Sequence, residues 1–174
     1  MTSSDPLLAS HAWLFGQVRD VLRGLDPDVY RAPAAALGLY PTGAHLRHAL
    51  DLYDCFLRGL RDGGVVDYEA RARDARVEED PGFALATLDR LERELGEAAA
   101  AGWPERVVVL GDRPREEWAV EAVSTPQREL LFLLHHAIHH LALVAVVLRS
   151  HGVEVPDGFG VAPSTLRHWE AQTR

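Results

Sequence analysis

The sequence predicts an all-α protein, a four-helix bundle with crossover connections and one small β-hairpin ahead of the last helix. Three observations carry this. Four long segments repeat apolar residues at the three- and four-residue spacing of a helix face. Each is bracketed by recognisable start and stop residues. The stretches between them are too long for simple up-down-up-down turns. The chain of 174 residues suffices for one domain with its own core, taken as 1–174.

The first helix is signalled by "SDPLLASHAWLFGQVRDVLRGLD". Asp5 serves as N-cap and Pro6 takes the first helical position. Leu8, Ala12, Phe15, Val18, Leu22 and Leu25 recur at helical spacing, and Gly24 with Asp26-Pro27 ends the run. "PDVYRAPAAALGLYPTG" then reads as a loop, being rich in Pro and Gly. The second helix is predicted from about Thr42 to Leu60, with Thr42 as N-cap and Gly63-Gly64 as the stop. Leu46, Leu50, Tyr53 and Leu57 form one apolar row, and His45, His48 and Leu52 lie on an adjacent one.

"VVDYEARARDARVEED" is a charged connection with room for a short helix. The third helix repeats the Asp-Pro start at Asp80-Pro81. Phe83, Leu85, Leu88, Leu91 and Leu95 give its stripe, and Gly102 stops it. "RVVVLG" and "WAVEAV" are β-branched or alternating around "DRPREE", which predicts a two-stranded hairpin. The last helix starts at "STPQ". Ser124 with Gln127 fits a capping box, and Thr125 ahead of Pro126 fits equally well. It runs to about Ser150, with Gly152 beyond it. The tail "VPDGFGVAPSTLRHWEAQTR" is expected to pack on the bundle surface, with Ser164-Thr165 capping a short turn.

A net charge of -8 argues against a general nucleic-acid binder. All 18 basic residues are Arg, which reads as coding bias. Cys55 is the one cysteine, so no intrachain disulfide can form and a reducing cytoplasm is the expected location. "MTSSDPLLAS" carries no basic region leading into an apolar one, so no export signal is expected. The stretch "LLFLLHHAIHHLALVAVVL", Leu130 to Leu148, is 19 residues long and could span a bilayer by length. Four histidines at its centre argue for a buried helix of a water-soluble bundle instead, with no membrane partner.

Those histidines are His135, His136, His139 and His140. Residues four apart lie one above the other on a helix, so "HHAIHH" offers two stacked pairs. At 100° per residue the four rings occupy roughly 140° of the circumference. An H-x-x-x-H pair suits two imidazole ligands on one metal. The Glu of the H-E-x-x-H motif is missing, so a metalloprotease is not indicated. "HLRHALD" in the second helix supplies His45 and His48 with Asp51 and Asp54. One imidazole from there, facing a pair from the last helix, would make a three-histidine site with positions left open for water or substrate.

"GAHLRHALDLY", "DYEARARD", "STPQRELLFLLHHAIHHLAL" and "FGVAPSTLR" together resemble the DinB/YfiT-like superfamily, over nearly the whole chain. More narrowly they resemble an uncharacterised branch with H-x-R-H and H-H-x-x-H-H motifs. The resemblance implies a bundle with crossover connections, often a homodimer, and a divalent metal held by three histidines. On this chain those ligands fall on His48, His136 and His140, with His135 and His139 beside them. That branch reads D-H-Y where Asp51-Leu52-Tyr53 stands here, and Leu52 cannot ligate. The resemblance further implies a low-molecular-weight thiol as possible cofactor, since some members are thiol-dependent transferases or isomerases.

Around this set, Tyr68, Arg71 and Arg73 could reach the mouth of the site, where an Arg suits a carboxylate or phosphate. Asp51, three residues after His48, could orient a ligating imidazole. Glu129 and Arg128 open the last helix, and a Glu there suits the helix dipole. His45 stays a candidate pocket residue. Cys55 reads as core. The expected function is a divalent-metal-dependent enzyme (Zn, Ni and Fe all suit imidazole). It would activate a thiol or water against a small electrophilic substrate by transfer or hydrolysis. A non-catalytic dimeric bundle, stress-related or binding a small ligand, is the alternative.

Overall fold

The computed structural model describes residues 5–111 and 120–172. Within them the chain is mainly helical with a small sheet. Its elements are α1 Pro6–Leu22, α2 Pro27–Arg31, a 3-10 turn Ala35–Leu37, α3 Thr42–Arg61, β1 Val65–Asp67, α4 Ala75–Glu79, α5 Pro81–Ala101, β2 Val107–Leu110, β3 Glu121–Ser124, α6 Pro126–Ser150 and α7 Pro163–Gln172.

The helix starts follow the local chemistry. Asp5, Asp26, Asp74 and Asp80 each accept a hydrogen bond from the backbone N–H two residues on, satisfying a donor the helix leaves open. Thr125 caps α6 by accepting from Arg128 N, with Pro126 at the first position, so the capping box on Ser124 does not form. Thr42 does not cap α3. Pro41 holds the cap position and Thr42 is buried inside the first turn.

Three further differences have physical reasons. The expected loop after α1 holds α2, because Asp26 and Pro27 start a turn that buries Tyr30, whose hydroxyl donates to Val77 O at 2.6 Å. The expected hairpin is part of a three-stranded sheet in the order β1-β2-β3. β1 pairs parallel to β2, with Val65 opposite Val108 and Val66 opposite Val109. β2 pairs antiparallel to β3, with Val107 opposite Ser124. A three-residue strand is too short to show a period, and only its partner reveals it. The predicted turn "DRPREE" and the first residues of "WAVEAV" lie outside the described residues, as do the first four residues of the N-terminal stretch. The tail forms α7, and its anchor is Phe159, buried where Gly160, at φ 70°, brings the chain against the backbone of Leu141 and Ala142.

α3 is the central element. It packs on α6, α5, α4 and β1, while α1 packs on α5 and α6. One cluster holds Leu14 and Phe15 of α1, Leu50 and Phe56 of α3, Leu88 and Leu91 of α5, and Leu133 and Leu141 of α6. The buried row of α1 runs through His11, Leu14, Phe15, Val18 and Leu22, so the face is turned from the expected one and takes in a histidine. Gly59 lets β1 lie against α3, since a Cβ there would be 2.6 Å from Val65 O. Among the described residues, Pro126–Ser150 is the one helix long and apolar enough to cross a membrane, and 50% of its apolar window is buried inside the molecule.

Candidate metal centre and adjoining cavity

The packing of α3 on α6 decides which histidines meet. His48 of α3 faces His136 and His140, one turn apart on α6. The ring centroids are 5.0 Å apart for His48–His136, 4.6 Å for His48–His140 and 4.6 Å for His136–His140. One ring nitrogen from each lies within 4.8 Å of the others, close enough to hold a metal ion. His136 Nε2 and His48 Nε2 are 2.9 Å apart, comparable to the roughly 3.3 Å between two imidazole nitrogens on a tetrahedral zinc.

Burial sets the protonation of this cluster. It lowers His48 to about 4, helped by the charges of His136, Arg71, Arg47 and His45. It lowers His140 to about 3, helped by the neighbouring histidines. His136 is lowered by burial, then by His139 and Arg71. All three rings are therefore neutral near pH 7, which is the ligating form. The donor set fits a divalent metal that accepts nitrogen ligands.

The remaining candidates sort by their place on the two helices. His45 is buried, and its Nδ1 lies 3.2 Å from His140 Nδ1, leaving Nε2 of His140 for the cluster. Burial, then His139, lowers the His45 pKa. His45 Nε2 is itself buried without a hydrogen-bond partner. His139 is exposed, and its ring stands edge-on to His140 at 5.4 Å. His135 is exposed and is not brought to the cluster, because one residue of helix turns the side chain by 100°. Leu52 is buried and forms part of an apolar wall.

Asp51 is buried on α3, three residues after His48, and the His48 Nδ1 contact is made by Arg71. Burial raises the Asp51 pKa, against the lowering effect of Arg47. The loop after β1 carries Arg71, whose Nη1 contacts His48 Nδ1. Arginine only donates, so this contact uses Nδ1 as acceptor. A metal on His48 Nε2 needs Nδ1 protonated, and Arg71 then has to turn away toward the cavity beside it.

That cavity has a volume of about 580 Å³, within the usual range for small-molecule sites. His48 and His136 line it. Leu52, Val109, Leu110 and Phe132 give it apolar walls, and Arg71, Arg73 and Arg128 give it positive charge. Glu129 also lines it. This carboxylate is buried, accepting from Tyr68 Oη at 2.8 Å and Ser124 Oγ at 2.6 Å, with Arg128 Nη1 at 3.3 Å. The expected role at the helix dipole is thus joined by a structural one, tying β1, β3 and α6 together. Burial and the adjacent Glu129 raise the Tyr68 pKa well above the usual phenol range. Phe132, Val109 and Leu110 carry no sequence signal that separates a cavity wall from a core residue. Phe132 at least lies four residues before His136, on the same face.

No family model matches the chain. It is similar to "FK506-binding protein 5" of Rhizopus delemar (strain RA 99-880 / ATCC MYA-4621 / FGSC 9543 / NRRL 43880), at 28% identity over 109 residues. That alignment covers 62% of this chain and 28% of the fungal protein, so the chain matches little more than a quarter of that relative's length.

Proposed function

We propose that the protein is a divalent-metal-dependent enzyme of the DinB-like type, with His48, His136 and His140 as the ligands. The observation that carries the reading is their convergence, from two helices, to within 4.8 Å beside a cavity. The packing of α1, α3, α5 and α6 around one core supports reading the fold as a four-helix bundle whose long connections cross over. When bound, the metal would lower the pKa of a thiol or water and hold it as an anionic nucleophile. The chain's own residues shape the rest. His45 holds His140 by its Nδ1, and the cavity walls exclude water from one side of an electrophilic substrate. Exposed Trp13 on α1 and Leu131 and Val146 on α6 support a homodimer, checked by light scattering.

The test is elemental analysis of untagged protein against the His136→Ala/His140→Ala variant. Near-stoichiometric metal in the first and none in the second is expected. Equal, negligible metal in both would remove the reading. It would favour a non-catalytic, ligand-binding bundle, for which one observation speaks. The four imidazoles already partner one another, at 2.9 Å for His48–His136 and 3.2 Å for His45–His140.

A further inference from the structure

The loop between β1 and α4 is held more firmly than a surface connector requires. Asp67 Oδ1 accepts from Glu69 N at 2.9 Å and Ala70 N at 3.3 Å. Arg58 Nη2 donates to Ala70 O at 2.6 Å. Arg73 sits at φ 51°, the left-handed region that side chains other than Gly and Asn rarely occupy. Strain of this kind persists only where the surroundings impose it, and it concentrates at binding sites.

The loop lines the cavity beside the histidine triad with Glu69, Arg71 and Arg73, a net positive contribution. Among the described residues, neither guanidinium forms an ion pair with a carboxylate, whereas Arg47 pairs with Glu78 and Arg128 with Glu129. Arg71 Nε is buried with no hydrogen-bond partner. The Glu129 carboxylate, facing the same space, is taken up by Tyr68, Ser124 and Arg128. Leu52, Val109 and Phe132 line the same cavity. Two donor-only cations on one strained loop, in a cavity with apolar lining, match an oxyanion on an apolar body.

We propose that the cavity binds a small organic oxyanion, with Arg71 and Arg73 clamping the anionic group and Leu52, Val109 and Phe132 receiving the apolar part. This names the substrate class for the proposed metal centre, and it rests on that reading only for which end of the ligand faces the histidines. A metal held by His48 through Nε2 would leave Nδ1 protonated and Arg71 free for the ligand.

Calorimetry with the 174-residue chain, as purified, tests this with three probes: 3-phenylpropanoate, phenylphosphonate and the neutral 3-phenylpropanamide. One or both anions should bind at least ~10-fold tighter than the amide, the scale of a charge-assisted hydrogen bond. Whichever anion binds tighter identifies the group as carboxylate or phosphate. Arg73→Gln and Arg71→Gln should each weaken the anion ~10-fold and leave the amide unchanged, with Arg73→Lys restoring part of the loss. Equal affinity for acid and amide, anion binding indifferent to both Gln variants, or no binding of either anion would overturn the proposal. The same titrations on His136→Ala/His140→Ala separate the two readings. Arginine-dependent anion binding there upholds the clamp even where metal analysis is negative.

Discussion

His45 Nδ1 lies 3.2 Å from His140 Nδ1, although the two residues stand 95 positions apart in the chain. Only one of these nitrogens can carry the proton. With the proton on His140, its Nε2 presents a lone pair to the triad, and His45 fixes both tautomer and ring orientation. His45→Asn should keep metal affinity near the wild-type value, because an amide oxygen can replace Nδ1 as acceptor. His45→Leu should lower it about 10–100-fold, as for other groups that orient a ligand. Competition with a chromophoric chelator measures both. A Leu variant that binds as tightly as the wild type would show His45 to be packing only.

His11 titrates the core. It is buried, its Nδ1 lies 2.9 Å from Tyr53 Oη, and burial holds its pKa at about 4. The unfolded chain takes up this proton near pH 6.5, so stability is full above that value and falls as pH drops toward 4. The loss from this group between pH 7 and 4.5 should be about 2–3 kcal/mol. Urea unfolding at the two pH values checks it against His11→Leu. That variant should start less stable at pH 7 and lose correspondingly less on acidification. Identical pH dependence in both proteins would exclude His11 as a source.

Tyr68 and Glu129 should prove coupled. Tyr68→Phe removes one donor from a buried carboxylate, at a cost of about 1–3 kcal/mol. Glu129→Met removes the acceptor as well, so the double variant should be less unstable than the sum of the two single changes. A double-mutant cycle in denaturant reads the coupling directly. Strict additivity would mean the 2.8 Å contact contributes nothing.

Two glycines in helices should respond in opposite directions. A Cβ at Gly43 of α3 would lie 2.0 Å from Glu78 O and 2.7 Å from Tyr30 Cε1, so Gly43→Ala must push α4 away and should cost about 1–3 kcal/mol or more. Gly16 of α1 has open space around its Cβ position, so Gly16→Ala should stabilise by about 0.5–1 kcal/mol. Thermal melts of the two variants rank them. Equal shifts would mean α3 and α4 are less closely packed than described.

Much of this architecture is legible residue by residue. The Asp-Pro starts at Asp5-Pro6 and Asp80-Pro81 and the Thr125-Pro126 start all appear where local chemistry puts them. The same chemistry at Asp26-Pro27 starts α2, but five residues are too few to show an apolar period. β1 was hidden for a related reason, since Val65–Asp67 is a strand only by virtue of Val108 and Val109 alongside. At the site, the i, i+4 spacing of His136 and His140 is a local property of a helix. The contact of Arg71 with His48 is not, because it joins a loop to a helix 23 residues away and no spacing rule reaches across that.

The sequence alone determines that four imidazoles lie on one apolar helix in two stacked pairs, with two more on a second helix. Helical periodicity is local and needs no partner to be read. Only the tertiary structure decides that His48 meets His136 and His140, that His45 backs His140, and that His135 faces outward. The same packing brings Arg71 and Arg73 to the cavity from a loop with no period of its own. Those choices depend on the rotation and offset of α3 against α6 and on how β1 docks onto α3. They are set by side chains such as Leu50, Leu133 and Val66, spread through the core, and by the missing Cβ of Gly59.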